Sequence, residues 1–215
     1  MSEKTASAAA DTFPRLLLEH AAIRGGAPAL REKYLGIWQT WTWSETAAEV
    51  RAMAMGLHSL GLKRGDNLAI IGDNRPRLYM AFAAAQCLGG VAVPMYQDAV
   101  AAEMTFVLEN ANIQFAIVED QEQVDKLLEA RDTLPQIAHI IYEDPRGLRT
   151  YDASGLTSLE ALRELGATYD KANPGLFDRE VAAGKAADVS VMLYTSGTTG
   201  KPKGVCQSHE AFITA

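Results

Sequence analysis

Apolar positions along the chain fall into two rhythms. Four short runs are apolar at almost every position: Leu68-Ala69-Ile70-Ile71, Val91-Ala92-Val93, Phe115-Ala116-Ile117-Val118 and Ile137-Ala138-His139-Ile140-Ile141. Their starts lie 23, 24 and 22 residues apart. Between them apolar residues recur at helical spacing: Leu78 with Phe82; Met104 with Val107, Leu108 and Ala111; Val124 with Leu127 and Leu128. Each unit therefore reads as a strand followed by a helix. A strand that is apolar throughout is covered on both faces, as a parallel sheet is by its crossover helices. The pattern predicts an α/β fold: a parallel sheet with helices on both faces. No residue signature recurs with the spacing, so the units are not solenoid repeats.

The flanking segments add detail. Residues 1–11 read as a flexible tail, and Phe13 to Arg24 as a helix stopped by Gly25-Gly26. Trp38-Gln39-Thr40-Trp41-Thr42-Trp43 alternates like a half-exposed strand. Ser44 is the expected N-cap of the next helix, which carries Val50, Met53, Leu57 and Leu60 on one face and ends at Gly61. Glu143 to Lys185 is looser and polar, with a helix beginning near Ser158, and leads into a strand from Val189 to Tyr194. The expected division is an α/β subdomain over 12–186, then a strand, a loop and the start of a further α/β subdomain over 187–215.

One run imitates a membrane span. Leu78 to Gln97 is 20 residues without a charge, about the length that crosses a bilayer. Gly89-Gly90 and Pro94 divide it, so it reads as a helix followed by a strand.

Composition narrows the classes. In 215 residues the hydrophobic share is 48% and the charged share 22%, as in soluble globular proteins. The net charge of -7 argues against broad attraction to nucleic acid, so any phosphate site must be local. Cys87 and Cys206 stand far apart, without the Cys/His spacing of a zinc site. No metal ligand set is expected. With no disulfide framework and no secretory signal, the expected compartment is cytoplasmic.

Chemistry concentrates where the last strand ends. Thr195-Ser196-Gly197-Thr198-Thr199-Gly200-Lys201-Pro202-Lys203-Gly204 holds three glycines, four hydroxyls and two lysines. Glycines let backbone N–H groups converge on an anion, the hydroxyls donate, and the lysines supply compact positive charge in an acidic chain. Charge-assisted hydrogen bonds of about 1.5–3 kcal/mol each could together hold a polyphosphate against the net charge. A Gly/Ser/Thr linker is the bland alternative, but linkers seldom begin at the end of a buried strand with lysines at fixed offsets. A Walker A loop needs four residues between its glycines and Ser or Thr after the lysine. Here only Thr198 and Thr199 separate Gly197 from Gly200, and Pro202 follows Lys201.

The twelve residues from Tyr194 to Val205 closely resemble the signature of the adenylate-forming, or acyl-CoA synthetase, superfamily. Ile71-Gly72-Asp73-Asn74-Arg75-Pro76 and Ala92-Val93-Pro94-Met95-Tyr96-Gln97-Asp98 are most similar to its bacterial long-chain fatty acid members. The resemblance implies two steps. A carboxylate attacks the α-phosphorus of ATP to give acyl-AMP and pyrophosphate, and the thiol of CoA then displaces AMP. It implies Mg2+ with the nucleotide, CoA as co-substrate and a carboxylic acid substrate, long-chain fatty acids first. By matching positions it gives Thr195, Ser196, Thr198, Thr199 and Lys201 phosphate contact, with Gly197 and Gly200 shaping the cradle. Lys201 and Thr198 carry the catalytic role, and Lys203 is a further cation with solvation as its alternative. Peripheral membrane contact and homo-oligomerisation are left open, with no membrane span and no nucleic acid as partner.

Remaining residues receive quieter readings. Ser208-His209 matches the family's helix-opening pair, although Glu210 and Ala211 depart from the usual continuation, and His209 reads as a helix-start residue before a substrate contact. His139 reads as a satisfied core residue, and Asp73 and Asn74, at a strand end where α/β sheets bind ligands, as turn and N-cap residues before Pro76 ahead of a ligand contact. The adenine, acyl and CoA pockets of the family are expected beyond Ala215, so the chain reads as a fragment, inactive alone. Two other readings stand beside the ligase: a non-catalytic nucleotide-binding or interaction module, and an adenylating enzyme for aromatic or amino acids.

Overall fold

A computed structural model of the chain describes residues 10–152, 154–195 and 202–214. In chain order the elements are α1 (Phe13–Arg24), β1 (Pro28–Tyr34), β2 (Ile37–Thr42), α2 (Trp43–Ser59), β3 (Asn67–Ile71), α3 (Pro76–Cys87), β4 (Val91–Met95) and α4 (Ala101–Asn110). There follow β5 (Phe115–Val118), α5 (Gln121–Arg131), β6 (His139–Tyr142), β7 (Leu156–Ser158), α6 (Leu159–Ala172), α7 (Leu176–Ala183), β8 (Val189–Thr195), β9 (Lys203–Ser208) and α8 (His209–Ile213). Among the described residues β1 and β2 pair only with each other, and the other strands form one sheet in the order β7-β6-β5-β3-β4-β8-β9. Every neighbouring pair in it is parallel except β8 and β9, which are antiparallel.

The apolar strands are sandwiched as their patterns require. Leu68, Ile70, Phe115 and Ile117 face a core built with α1, α2, α3, α6 and α7, while Ala69, Ile71, Ala116 and Val118 face a second core built with α4 and α5. Alternate residues of one strand thus serve opposite cores, and each large side chain fully buried contributes about 1.5–3 kcal/mol. The uncharged run from Leu78 to Gln97 divides into α3 and β4, and among the described residues no helix is long and apolar enough to cross a membrane.

The order of connections creates a crevice. From β3 the chain passes through α3 to β4 on one side, then returns through α4 to β5 on the other side of β3. Right-handed crossovers in opposite directions put α3 and α4 on opposite faces, as the two cores show. The loops leaving β3 and β4 therefore diverge, which opens a gap outside their carboxyl ends.

Several local expectations are corrected. The N-cap of α2 is Thr42, not Ser44: Thr42 Oγ1 accepts from the Glu45 N–H at 3.2 Å and the Glu45 carboxylate accepts from the Thr42 N–H at 2.8 Å. This reciprocal box fixes the helix start at Trp43, leaving Ser44 to donate its N–H to Gly25 O. At the other end Gly61 has φ +101°, with Gly61 N–H bonded to His58 O and Leu62 N–H to Leu57 O. That left-handed closure is the one the glycine predicts. The N-cap of α3 is Arg75 rather than Asp73 or Asn74, because Pro76 occupies the first helical position. The polar stretch from Glu143 to Lys185 is more ordered than its sequence suggests. Besides the helix capped by Ser158 it holds β7 and α7. His139 opens β6 half-buried, stacked on Phe115 with ring centroids 4.9 Å apart.

Candidate functional site

The crevice contains a cavity of about 660 Å³. Ile70 and Gly72 to Asn74 come from the end of β3, Pro94 to Asp98 from the end of β4, Leu193 to Thr195 from the end of β8, and Leu78, Tyr79 and Phe82 from α3. Its floor is apolar and its rim polar. On the rim Gln97 Nε2 donates to Asp73 Oδ1 at 2.7 Å, and the Tyr79 hydroxyl donates to Asn74 Oδ1 at 3.0 Å. The Lys126 ammonium donates to Gln97 O, tying the β4 loop to α5.

Glu119, immediately after β5, holds the β3 loop in place. Its Oε2 accepts from the Asp73 N–H at 2.6 Å, and its Oε1 accepts from Arg75 Nε at 2.9 Å. Gly72 permits this approach. With φ +152° and a would-be Cβ only 2.6 Å from Glu119 Cβ and 2.7 Å from Leu78 Cδ1, no side chain fits there. Arg75 also pairs with Glu32 at 3.4 Å. Nearby, burial pushes the Glu143 carboxyl up, opposed by Arg77 and assisted by the negative charge of Glu32 and Glu119.

The glycine-hydroxyl-lysine loop is closed by a β-ladder. β8 and β9 pair from Met192 with Cys206 to Thr195 with Lys203, so the residues on either side of the loop are held together. Thr195 lines the cavity, whereas Lys203 is exposed at the start of β9. Ser196, Gly197, Thr198, Thr199, Gly200 and Lys201 lie outside the described residues. β8 is anchored from within. Ser190 is fully buried, its O accepting from Gln86 Nε2 at 3.1 Å and its hydroxyl donating to Gln207 O at 3.1 Å. The Tyr194 hydroxyl donates to Asn110 Oδ1 at 2.6 Å, and burial pushes its phenol pKa up.

His209 sits apart from the cavity. It is buried at the start of α8, capped by Ser208, and its Nδ1 accepts from the Phe13 N–H at 3.3 Å. Burial holds its pKa below the ordinary imidazole value, although Asp188 and Asp11 favour the charged form. The Cys87 thiol is fully buried and its pKa is pushed up to about 12, which removes its thiolate chemistry. Sequence reasoning weighed Asp73 and Asn74 as ligand residues at a strand end but ranked turn and N-cap duty above it, and it missed Tyr79, Gln97 and the bracing role of Glu119. The available signal was a carboxylate placed directly at a strand's carboxyl end, where α/β sheets gather their sites.

Known proteins place this architecture. Over 200 residues the chain is 33% identical to a long-chain-fatty-acid–CoA ligase of Rattus norvegicus, covering 93% of this chain and 29% of that protein. Over 172 residues it is 31% identical to a long-chain-fatty-acid–CoA ligase of Mycobacterium bovis, covering 80% of this chain and 27% of that one. The acetoacetyl-CoA synthetase of Streptomyces lividans has the same fold over 94% of this chain and 31% of its own, with a TM-score of 0.74 and 22% identity. An anthranilate–CoA ligase in complex with anthranoyl-AMP matches 93% of this chain and 35% of its own, with a TM-score of 0.69 and 19% identity. The chain thus spans less than a third of the length of these curated relatives. The family model for AMP-binding enzymes matches residues 17–215, and the chain belongs to that family.

Proposed function

We propose that the chain supplies the phosphate-gripping unit of an enzyme that activates a carboxylic acid, a long-chain fatty acid, as acyl-AMP and then as acyl-CoA. One observation carries the reading: Thr195 and Lys203, the strand residues on either side of the glycine-rich segment, are paired, and Thr195 lines the switch-point crevice. In this reading the loop embraces the β- and γ-phosphates of ATP. A carboxylate oxygen attacks the α-phosphorus, the bond to the bridging oxygen breaks, and pyrophosphate leaves with that electron pair. The charge growing on pyrophosphate is met by the hydroxyls of Thr195, Ser196, Thr198 and Thr199 and by the Lys201 ammonium. Donors fixed beforehand stabilise that charge more in the transition state than in the ground state. The CoA thiol then attacks the acyl carbon and AMP departs.

Magnesium in this reading enters with the nucleotide. Among the described residues no group of three or more His, Cys, Asp or Glu is arranged to hold an ion. The long-chain assignment is supported by the names of the two curated relatives, both long-chain-fatty-acid–CoA ligases at about this level of identity. Acid-dependent ATP–pyrophosphate exchange by the longest natural form of the protein tests the reading. Exchange is expected with long-chain fatty acids and to weaken as the chain shortens. Equal or better exchange with benzoates or amino acids would replace the substrate class, and no exchange from a folded, ATP-binding protein would favour a non-catalytic module.

A further inference from the structure

We propose that the tip of the β1–β2 hairpin is a lipid-contact element that inserts into an anionic membrane surface. Among the described residues the hairpin pairs with no other strand, and its register sets Tyr34 opposite Ile37 and Lys33 opposite Trp38. The two residues between, Leu35 and Gly36, have φ +48° and +82°. A two-residue hairpin turn with both φ values positive favours Asn and Gly, and a leucine in the left-handed region carries backbone strain. Leu35 is also 84% exposed, beside Ile37 at 66%, Trp38 at 58% and Tyr34 at 44%. Four large apolar or aromatic side chains among the five residues from Tyr34 to Trp38 therefore serve neither the core nor the turn, and exposed apolar surface of this kind at one tip marks a contact surface.

Charge identifies the occupant. Strand alternation puts Arg31 and Lys33 on the same face as Trp38, and the Arg31 guanidinium lies 5.1 Å from the centre of the Trp38 ring. The intervening Glu32 points to the other face, where it pairs with Arg75. The outward face of the hairpin is thus cationic and aromatic in a chain of net charge -7. A two-fold contact between two copies would set these cations against each other, whereas anionic headgroups complement them. Apolar residues at the extremity, amphipathic rings behind them and cations behind those match the depth profile of a membrane interface. At its root Leu30 and Trp41 pack against the core, so the tip is presented on a fixed base.

This inference stands apart from the proposed activity. It is tested by co-sedimentation of the full chain with phosphatidylcholine vesicles, with and without a phosphatidylglycerol fraction. Binding is expected to the vesicles that contain phosphatidylglycerol. Leu35→Asn suits the left-handed turn, so its melting temperature is expected to stay level or rise while vesicle affinity falls about tenfold through loss of one inserted side chain. Arg31→Gln with Lys33→Gln is expected to abolish the preference for phosphatidylglycerol. Unchanged binding by folded Leu35→Asn, or no sedimentation of the wild type with anionic vesicles, overturns the proposal. Self-association that Leu35→Asn abolishes, without vesicle binding, overturns it in favour of a second copy.

Discussion

The interior strand β5 and the edge hairpin formed by β8 and β9 share one sheet but are built on opposite terms. β5 is buried at all four of its positions, whereas β9 is exposed at its first four and β8 alternates toward its end. Interior strands are held by side chains that interlock with helices on both faces. The edge hairpin is held by its ladder and by the buried anchors of Ser190 and Gln86. The segment rich in glycine, hydroxyls and lysine joins its two strands. Interior and edge strands of one sheet are thus held by different means.

Substitutions across this divide should differ most in the interior. Ile117→Ala, at a fully buried position in β5, is expected to cost about 2–5 kcal/mol of unfolding free energy in denaturant titrations. Gly72→Ala, which puts a methyl group against Glu119 and Leu78, is expected to cost about 1–3 kcal/mol and to displace the β3 loop from the cavity rim. Val205→Ala, on the exposed surface of β9, is expected to change stability by about 0.5 kcal/mol or less. An Ile117 variant as stable as the Val205 variant would break the comparison.

The gentlest probe is pH. Because burial holds the folded-state pKa of His209 below 6.5, the unfolded chain takes up this proton first as the pH falls. The stability due to neutral His209 is present above pH 6.5 and is lost as the pH drops through the folded-state value. His139 has the same sign, from burial and from Arg131, while Glu143, raised by burial, has the opposite sign. His209→Gln retains an acceptor for the Phe13 N–H and is expected to flatten the fall in melting temperature between about pH 7 and pH 5 relative to the wild type. A parallel curve would remove His209 as a source of the slope.

Legibility followed burial. β3, β4, β5 and β6 were readable because strands covered on both faces must be apolar at successive positions, and the helices between them kept one clean face. β1 was missed because Arg31-Glu32-Lys33 interrupts its pattern with charges that an isolated hairpin tolerates. β9 was missed because Lys203 to Cys206 is exposed and reads as a continuation of the loop. The order of strands depends on pairings across many residues, which no local pattern encodes. The same holds for the brace from Glu119 to the Asp73 N–H. The segment from Thr195 to Gly204 stood out by residue type, its glycines, hydroxyls and lysines being those an anion site needs.

The direct test of the account is a single-turnover measurement of the two half-reactions in a full-length enzyme carrying Lys201→Ala. If the loop grips the triphosphate, formation of acyl-AMP slows by about a hundredfold while transfer of a preformed acyl-AMP to CoA keeps its rate. Adenylation at the wild-type rate by a folded Lys201→Ala enzyme would contradict it.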